Sequence, residues 1–134
     1  MNNNIYINDT YLNNNRSYHL EDSEFKWKNI KKIIKNNLSQ NKINEFTSVT
    51  EVGCGAGKII FLAKNSNFFR NSTFHGYDIN EKIILEAQKK YSGVNYHCKN
   101  FINEDHKTNL LVCADVFEHI DDKYFFLKKI IKKS

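Results

Sequence analysis

The chain has 134 residues, of which 40% are hydrophobic, which is enough for one small domain with a hydrophobic core. It has no run of about 18 apolar residues, and its N-terminus lacks the basic start and apolar stretch of a secretory signal, so we expect neither a membrane span nor export. The net charge is +5, but Arg16 and Arg70 are the only arginines, and such a lysine-rich charge reflects composition more than nucleic-acid binding.

The first segment of the chain is rich in asparagine and has no sustained period, so residues 1–20 are expected to form a loose arm. A single domain is predicted over residues 21–134. It begins with an amphipathic helix from about Glu21. The apolar positions that recur at helical spacing are Trp27, Ile30, Ile34 and Leu38.

From residue 48 onwards, strand-like and helix-like segments alternate. Strands are predicted at Ser48–Gly53, at Thr73–Ile79, at Val94–Cys98 running on to Phe101, and at Leu110–Ala114. Helices are predicted at Gly57–Asn65, between Asn80 and Gly93, and from about Asp121. Strands that alternate with helices run parallel, with right-handed crossovers. We therefore predict an α/β fold, a Rossmann-like doubly wound parallel sheet with about four strands in the order 3-2-1-4 and an N-terminal helix.

Cys54, Cys98 and Cys113 are odd in number, widely spaced and set in strand-like surroundings. This pattern is typical of reduced thiols in the core and not of disulfides or metal ligands. We therefore expect a cytoplasmic protein.

The most informative segment is the loop between the first strand and the first helix, EVGCGAG at Glu51–Gly57. Its glycines occupy alternate positions, which permits a tight turn and lets a ligand approach the backbone closely. The helix that follows directs its unpaired N–H groups at that ligand. A glycine-rich loop between a strand and a helix predicts a cofactor site.

Glu51, at the end of the first strand, distinguishes two classes of cofactor. Nicotinamide and flavin dinucleotides place a pyrophosphate on such a loop, and a carboxylate there repels it. S-adenosylmethionine has no phosphate and carries an ammonium and a sulfonium, which a carboxylate attracts. The charge of Glu51 therefore favours S-adenosylmethionine.

Other candidate residues follow the later strands, because ligands of such sheets bind outside the carboxyl ends of the strands. Asp78 ends the second strand, where an acid can bind ribose hydroxyls, although it is also placed to cap the helix after Asn80. Asn100 and Phe101 follow the third strand, where an amide can meet the edge of a base and a ring its face. Ala114–Ile120 follows the fourth strand and is expected to line the other side of the crevice.

Several of these segments together resemble one family. Glu51–Gly57 resembles the first motif of the class I S-adenosylmethionine-dependent methyltransferases, and Gly76–Ile79 resembles their second. Leu111–Ile120 resembles the motif after strand four in a small-molecule branch of that family. Tyr18–Ser23, with Lys26, is similar to the lead-in segment of some bacterial members.

The resemblance implies roles for individual residues. Those expected to hold the methionine part of the cofactor are Glu51, Gly53, Cys54, Gly55 and Gly57. Asp78 would bind the ribose hydroxyls, and Ile79 and Phe101 would enclose the adenine. Asn100 stands where the family usually has Asp, and its amide oxygen would accept the adenine amino group. Ala114 would lie behind the sulfonium.

Methyl transfer by in-line displacement depends on alignment and exclusion of water and needs no protein nucleophile. A base matters only if the acceptor is a hydroxyl or a protonated amine, and His119 beside Glu118 is the candidate, unless the pair only braces the loop. We expect no metal, with one alternative, that Asp115, Glu118 and His119 share a helical face and bind Mg²⁺. The remaining histidines, whose spacing indicates no shared site, are His19, His75, His97 and His106.

The resemblance extends over about Tyr11–Ile131 and implies methyl transfer to a small-molecule acceptor. Members of the family have about seven strands, so a sheet of about four is expected to be incomplete. The hydrophobic strand at Leu110 would then be an open edge that suits a partner chain or self-association. The alternative function is a truncated, inactive S-adenosylmethionine-binding remnant or an interaction subunit.

Overall fold

The computed structural model describes residues 9–114, with side chains from residue 23 onwards. The helices are α1 (Asp9–Asn37), α2 (Gln40–Asn44), α3 (Lys58–Asn65) and α4 (Glu81–Lys90), and the strands are β1 (Ser48–Val52), β2 (Thr73–Asp78), β3 (Asn95–Cys98) and β4 (Leu110–Val112). A short 3₁₀ turn spans Phe101–Asn103. Within these residues the strands form one parallel sheet in the order β3-β2-β1-β4, which confirms the predicted fold class and strand order.

Helix α1 is longer than we expected. It begins at Asp9, inside the segment interpreted as a loose arm, and not near Glu21. A helix that core contacts anchor at Trp27 can extend through residues of modest propensity, because propagation costs less than nucleation. The division of the chain at residue 20 stays a prediction.

The main core lies between one face of the sheet and the helices α1 and α3, and Phe69 is at its centre. The Phe69 ring is 4% exposed, and its centroid lies 6.2 Å from that of Trp27 in α1 and 6.1 Å from that of Phe74 in β2. Phe46 and Phe68 pack on it from the connecting segments. These aromatic contacts join the N-terminal helix to the sheet.

The other face of the sheet is partly polar and is covered by the loop of residues 104–109. The Thr108 hydroxyl donates to the carbonyl of Ser48 at 3.0 Å and accepts from the Thr50 hydroxyl at 2.9 Å. The Asn109 side-chain oxygen accepts the backbone N–H groups of Thr47 and Ser48. These bonds fix the loop against β1 and set the register in which β4 joins it.

The register of the sheet brings the expected site residues to one edge. Glu51 pairs with Gly76 of β2 on one side and with Val112 of β4 on the other, and Asp78 pairs with Cys98 of β3. The carboxyl ends of the four strands therefore lie together at the edge where sheets of this kind bind ligands in a crevice. None of the helices in the described part of the chain combines the length and apolar character of a membrane span.

Candidate functional site

The loop of residues 53–57 turns sharply between β1 and α3, and three glycines make that turn possible. Gly53, Gly55 and Gly57 have φ angles of 70°, 54° and 85°. Residues with a Cβ rarely adopt this left-handed region, and glycine does so without steric cost. Gly57 is also the residue that precedes the first turn of α3. The glycine pattern thus has a conformational basis.

The loop is fastened to the end of β2. The carbonyl of Tyr77 accepts the backbone N–H groups of Gly53 at 2.8 Å and Cys54 at 3.0 Å. The next residue, Asp78, accepts the N–H of Gly55 on Oδ2 at 3.0 Å and that of Asn80 on Oδ1 at 2.9 Å. One carboxylate therefore joins the glycine loop to the start of α4.

The N-cap residue of α4 is Asn80, whose side chain accepts the N–H of Ile83, and Asp78 in turn accepts the N–H of Asn80. The Asp78 side chain is only 7% exposed. Burial raises the pKa of its carboxyl, and the N–H groups of Asn80, Gly55 and Ile79 act in the opposite direction. A carboxylate has about four lone-pair sites, so these backbone bonds leave capacity for a further donor.

Glu51 places a second buried carboxylate beside the loop, with 2% of its surface exposed. Burial and, to a smaller extent, the charge of Glu51 raise the pKa of the Cys113 thiol to about 12. Burial also raises the pKa of Tyr96 and of Cys54, and the charge of Glu51 adds to this effect. Little water screens a charge in this position, so a cationic group in the crevice would be attracted strongly.

Tyr96 in β3 supports the loop from within the sheet, a role that the sequence analysis missed. A Cβ on Gly57 would lie 2.7 Å from the Tyr96 Oη, and one on Gly76 would lie 3.1 Å from its Cδ1 and 3.0 Å from Cys54 Sγ. On Gly55 it would meet only Ile83 Cδ1, at 3.7 Å. The backbone is therefore accessible at Gly55 and tightly packed at Gly57 and Gly76. Gly76 pairs with Tyr96 in the sheet, so a glycine in the second strand beside an aromatic residue of the third could have indicated this contact.

The residues after β3 differ from expectation. Phe101 is 1% exposed and packs edge-to-face on Tyr77, in a second core with Val52, so the ring has no exposed face to lie against a base. This burial contradicts the prediction that the Phe101 ring stacks on the adenine. The side-chain oxygen of Asn100 accepts the N–H of Ile102 at 3.3 Å and so caps the 3₁₀ turn.

Ile79 is half-buried directly after Asp78, and Ala114 is exposed two residues beyond β4. Both lie at the carboxyl edge of the sheet, as the resemblance implies, and their contacts with a cofactor stay predictions. The expected base and the alternative metal ligands, Asp115, Glu118 and His119, lie outside the described residues. Within residues 23–114, no three His, Cys, Asp or Glu side chains are arranged to hold a metal ion.

Three histidines for which the sequence showed no common spacing come together on the face under the 104–109 loop. His75 Nδ1 lies 3.4 Å from His97 Nε2, and the rings of His75 and His106 are 4.4 Å apart. His106 Nε2 also contacts the Thr50 hydroxyl at 3.2 Å. Because β2 and β3 were predicted to be neighbours, the sequence could have indicated that His75 and His97 lie close together. No pattern in the sequence predicted the position of His106.

Comparison with known proteins gives a class for this fold and site. Residues 50–133 match a family model described as a methyltransferase domain. This match covers more than half of the chain, so the chain belongs to the methyltransferase domain family, and the predicted family is confirmed. No curated protein sequence matches the chain.

Solved methyltransferase structures share the fold. Magnesium protoporphyrin IX methyltransferase (ChlM) from Synechocystis PCC 6803, with bound SAM, aligns with a TM-score of 0.60 and 18% identity, over 81% of this chain and 54% of that one. The plantazolicin methyltransferase BpumL in complex with SAH aligns with a TM-score of 0.56 and 17% identity, over 84% of this chain and 48% of that one. StiE O-MT aligns with a TM-score of 0.60 and 16% identity, over 79% of this chain and 39% of that one. The chain thus spans from about a third to about half of the length of such structures.

Proposed function

We propose that this chain binds S-adenosylmethionine at the carboxyl edge of β1 and β2 and acts in methyl transfer. The observation that carries the proposal is the pair of buried carboxylates, Glu51 and Asp78, on either side of the glycine loop. A ligand with positive charge and two adjacent hydroxyls suits this arrangement. A pyrophosphate does not suit it, because two carboxylates would repel it.

The residues of the crevice fit the parts of this cofactor. Glu51 would offset the positive charge of the methionine part, while the positive end of α3 suits its carboxylate. The open backbone at Gly55 allows close approach. Asp78 would accept the ribose hydroxyls with the lone pairs that its backbone bonds leave. Ile79, Asn100 and Ala114 are proposed as further contacts.

The cofactor supplies a methyl group on a sulfonium. The residues of this chain bind and orient it, and alignment of reacting partners is worth up to roughly 7–11 kcal/mol of the barrier. The surroundings of Glu51 are buried, which limits the access of water. We propose that His119 accepts the proton when the acceptor is a hydroxyl or a protonated amine.

The proposed acceptor is a small molecule. ChlM and BpumL, whose folds are similar, are named for magnesium protoporphyrin IX and for plantazolicin. The three cysteines are free thiols, which supports a cytoplasmic location, although Cys98 is exposed and not in the core as expected. Within the described sheet β4 is an edge strand with half-buried Leu110 and Leu111, which supports pairing with a partner chain or a second copy.

Calorimetry with S-adenosylhomocysteine on the full chain tests the proposal. We expect saturable binding, and Glu51→Gln should weaken it by about tenfold or more, since the substitution removes a buried charge and conserves shape. Glu45→Gln is the matched control, because Glu45 is exposed at the end of α2. It should bind as the original chain does.

Two results would overturn the proposal. One is no binding at millimolar S-adenosylhomocysteine by a chain whose circular dichroism shows it folded. The other is equal affinity in the original chain and in a folded Glu51→Gln variant.

A further inference from the structure

A second concave site lies at the opposite end of the sheet from the glycine loop. It is formed by the end of α3, the segment that leads into β2, and the first residue of β3. Its volume is about 470 Å³, which is in the range of small-molecule sites. We call it the basic cavity. Its principal polar and charged lining residues are Lys64, Asn67, Arg70, Thr73 and Asn95.

The charged side chains that line the basic cavity have one sign. Lys64 and Arg70 are the charged residues that line it, and no acidic residue does so among residues 23–114. Neither cation forms an ion pair with another residue of that range. An anion bound in the cavity would be attracted to both cations.

The Lys64 side chain passes close to Gly93. A Cβ on Gly93 would lie 2.5 Å from the Lys64 Cε and 2.8 Å from its Nζ, so the lysine crosses the glycine closely. Lys64 also lies in the last turn of α3, where the helix dipole favours a cation. Arg70 lies beyond the end of this helix, so the helix dipole does not explain why a second cation is found here.

Amide groups add to the cations. The Asn95 Nδ2 donates one hydrogen to the carbonyl of Phe74 at 3.2 Å and keeps its other hydrogen. Asn67, which has a φ angle of 59°, also lines the cavity. A guanidinium can bind a phosphate with two parallel hydrogen bonds, and a lysine adds a point charge.

We propose that the basic cavity binds a phosphorylated small molecule, with the phosphate between Lys64 and Arg70. A doubly charged oxyanion matches two cations better than a single carboxylate does. The volume leaves room for an organic part beside the phosphate. The six residues of β2 separate the cavity from the crevice by about 20 Å, so this ligand is distinct from the cofactor and the inference does not depend on the proposed function.

The test uses the ¹⁵N-labelled full chain, with glycerol 3-phosphate as the probe and glycerol at the same ionic strength as its matched control. We expect saturable shifts of the backbone amide signals of Asn67, Thr73, Gly93 and Asn95 with glycerol 3-phosphate. Glycerol should leave these signals unchanged. The amides of Gly53 and Gly55 should not move with either compound.

Two charge-removing variants, Lys64→Met and Arg70→Met, should each weaken binding by about tenfold. Lys28→Met removes an equal charge from an exposed position on α1 and should bind as the original chain does. Shifts that do not saturate, that glycerol reproduces, that map to the glycine loop, or that persist unchanged in both cavity variants would overturn the inference. Two variants at separate exposed or half-exposed positions keep the test valid if one misfolds.

Discussion

The carboxylate of Asp78 accepts the backbone N–H of Gly55 at 3.0 Å, although the two residues are 23 positions apart in the sequence. The same carboxylate accepts the N–H of Asn80 at 2.9 Å. The glycine loop and the start of α4 therefore have a common anchor at the end of β2. Asp78 has a structural role as well as its proposed contact with ribose.

The substitution Asp78→Asn tests both roles. An amide has only one oxygen, so one of the two backbone N–H groups would face an NH₂ group and lose its acceptor, at a cost of about 1–3 kcal/mol. We expect the free energy of unfolding in urea to fall by this amount. Affinity for S-adenosylhomocysteine should fall by about tenfold or more.

Asp105→Asn is the matched control for this experiment, since Asp105 is exposed in the 104–109 loop. Its free energy of unfolding should stay within about 0.5 kcal/mol of the original value. If Asp78→Asn unfolds as the original chain does, the anchoring role is wrong. If it loses stability and binds with unchanged affinity, only the ribose contact is wrong.

Alanine at the loop glycines should separate backbone strain from steric contact. Gly55 and Gly57 both have positive φ angles, so Ala costs about 1–2 kcal/mol of stability at either position. At Gly57 the added Cβ also lies 2.7 Å from Tyr96 Oη, whereas at Gly55 its nearest contact is at 3.7 Å. Gly57→Ala should therefore lower the melting temperature more than Gly55→Ala.

Adding Tyr96→Leu gives the internal check on this difference. In the Tyr96→Leu background the steric contact is gone and only the backbone strain remains, so the further loss caused by Gly57→Ala should approach that caused by Gly55→Ala. An equal loss from Gly57→Ala in both backgrounds would contradict the steric contribution.

The sequence was sufficient to predict the sheet because its signals are local. Alternating strands and helices imply parallel pairing, and the strand boundaries differ from those predicted by at most two residues, except that β3 ends at Cys98 and does not run on to Phe101. The left-handed turn at Gly53 and the cap at Asn80 depend on the residues themselves. Such features need no knowledge of what packs against them.

The features that the sequence did not predict depend on contacts between distant segments. Phe101 follows β3 with no periodic pattern to indicate its face, and its burial against Tyr77 is decided by the turn that Asn100 caps. His106 joins His75 because hydrogen bonds of Thr108 and Asn109 fold the intervening loop back on β1. No local rule encodes either placement.

The aromatic core around Phe69 should dominate stability. Phe69→Ala removes a ring that contacts four other aromatic side chains, and large-to-small changes of this kind cost about 3–5 kcal/mol. Phe25→Ala is the matched control, because Phe25 on α1 is 65% exposed and should change the free energy of unfolding by about 0.5 kcal/mol or less. Urea unfolding followed by the fluorescence of Trp27, which packs on Phe69, measures both. Equal effects of the two substitutions would contradict this assignment of the core.

Acid should destabilise the fold through the histidines under the 104–109 loop. Burial, followed by the charges of His106 and His97, lowers the pKa of His75 from 6.5 to about 4. Between these values the unfolded chain binds the proton and the folded chain does not, so the free energy of unfolding falls as the pH decreases from about 6.5 towards 4. Burial, His106 and Lys99 also lower the pKa of His97, which Glu104 opposes, so His97 acts in the same sense.

The substitution His75→Gln should reduce this pH dependence, because glutamine does not titrate. Urea unfolding at several pH values between 4 and 8 measures the slope, and the loss of stability on acidification should be smaller in the variant. At pH 8 the histidine is neutral in both states, so any difference there reports packing and not protonation. Equal slopes in the two proteins would show that His75 does not titrate across this range differently in the folded and unfolded states.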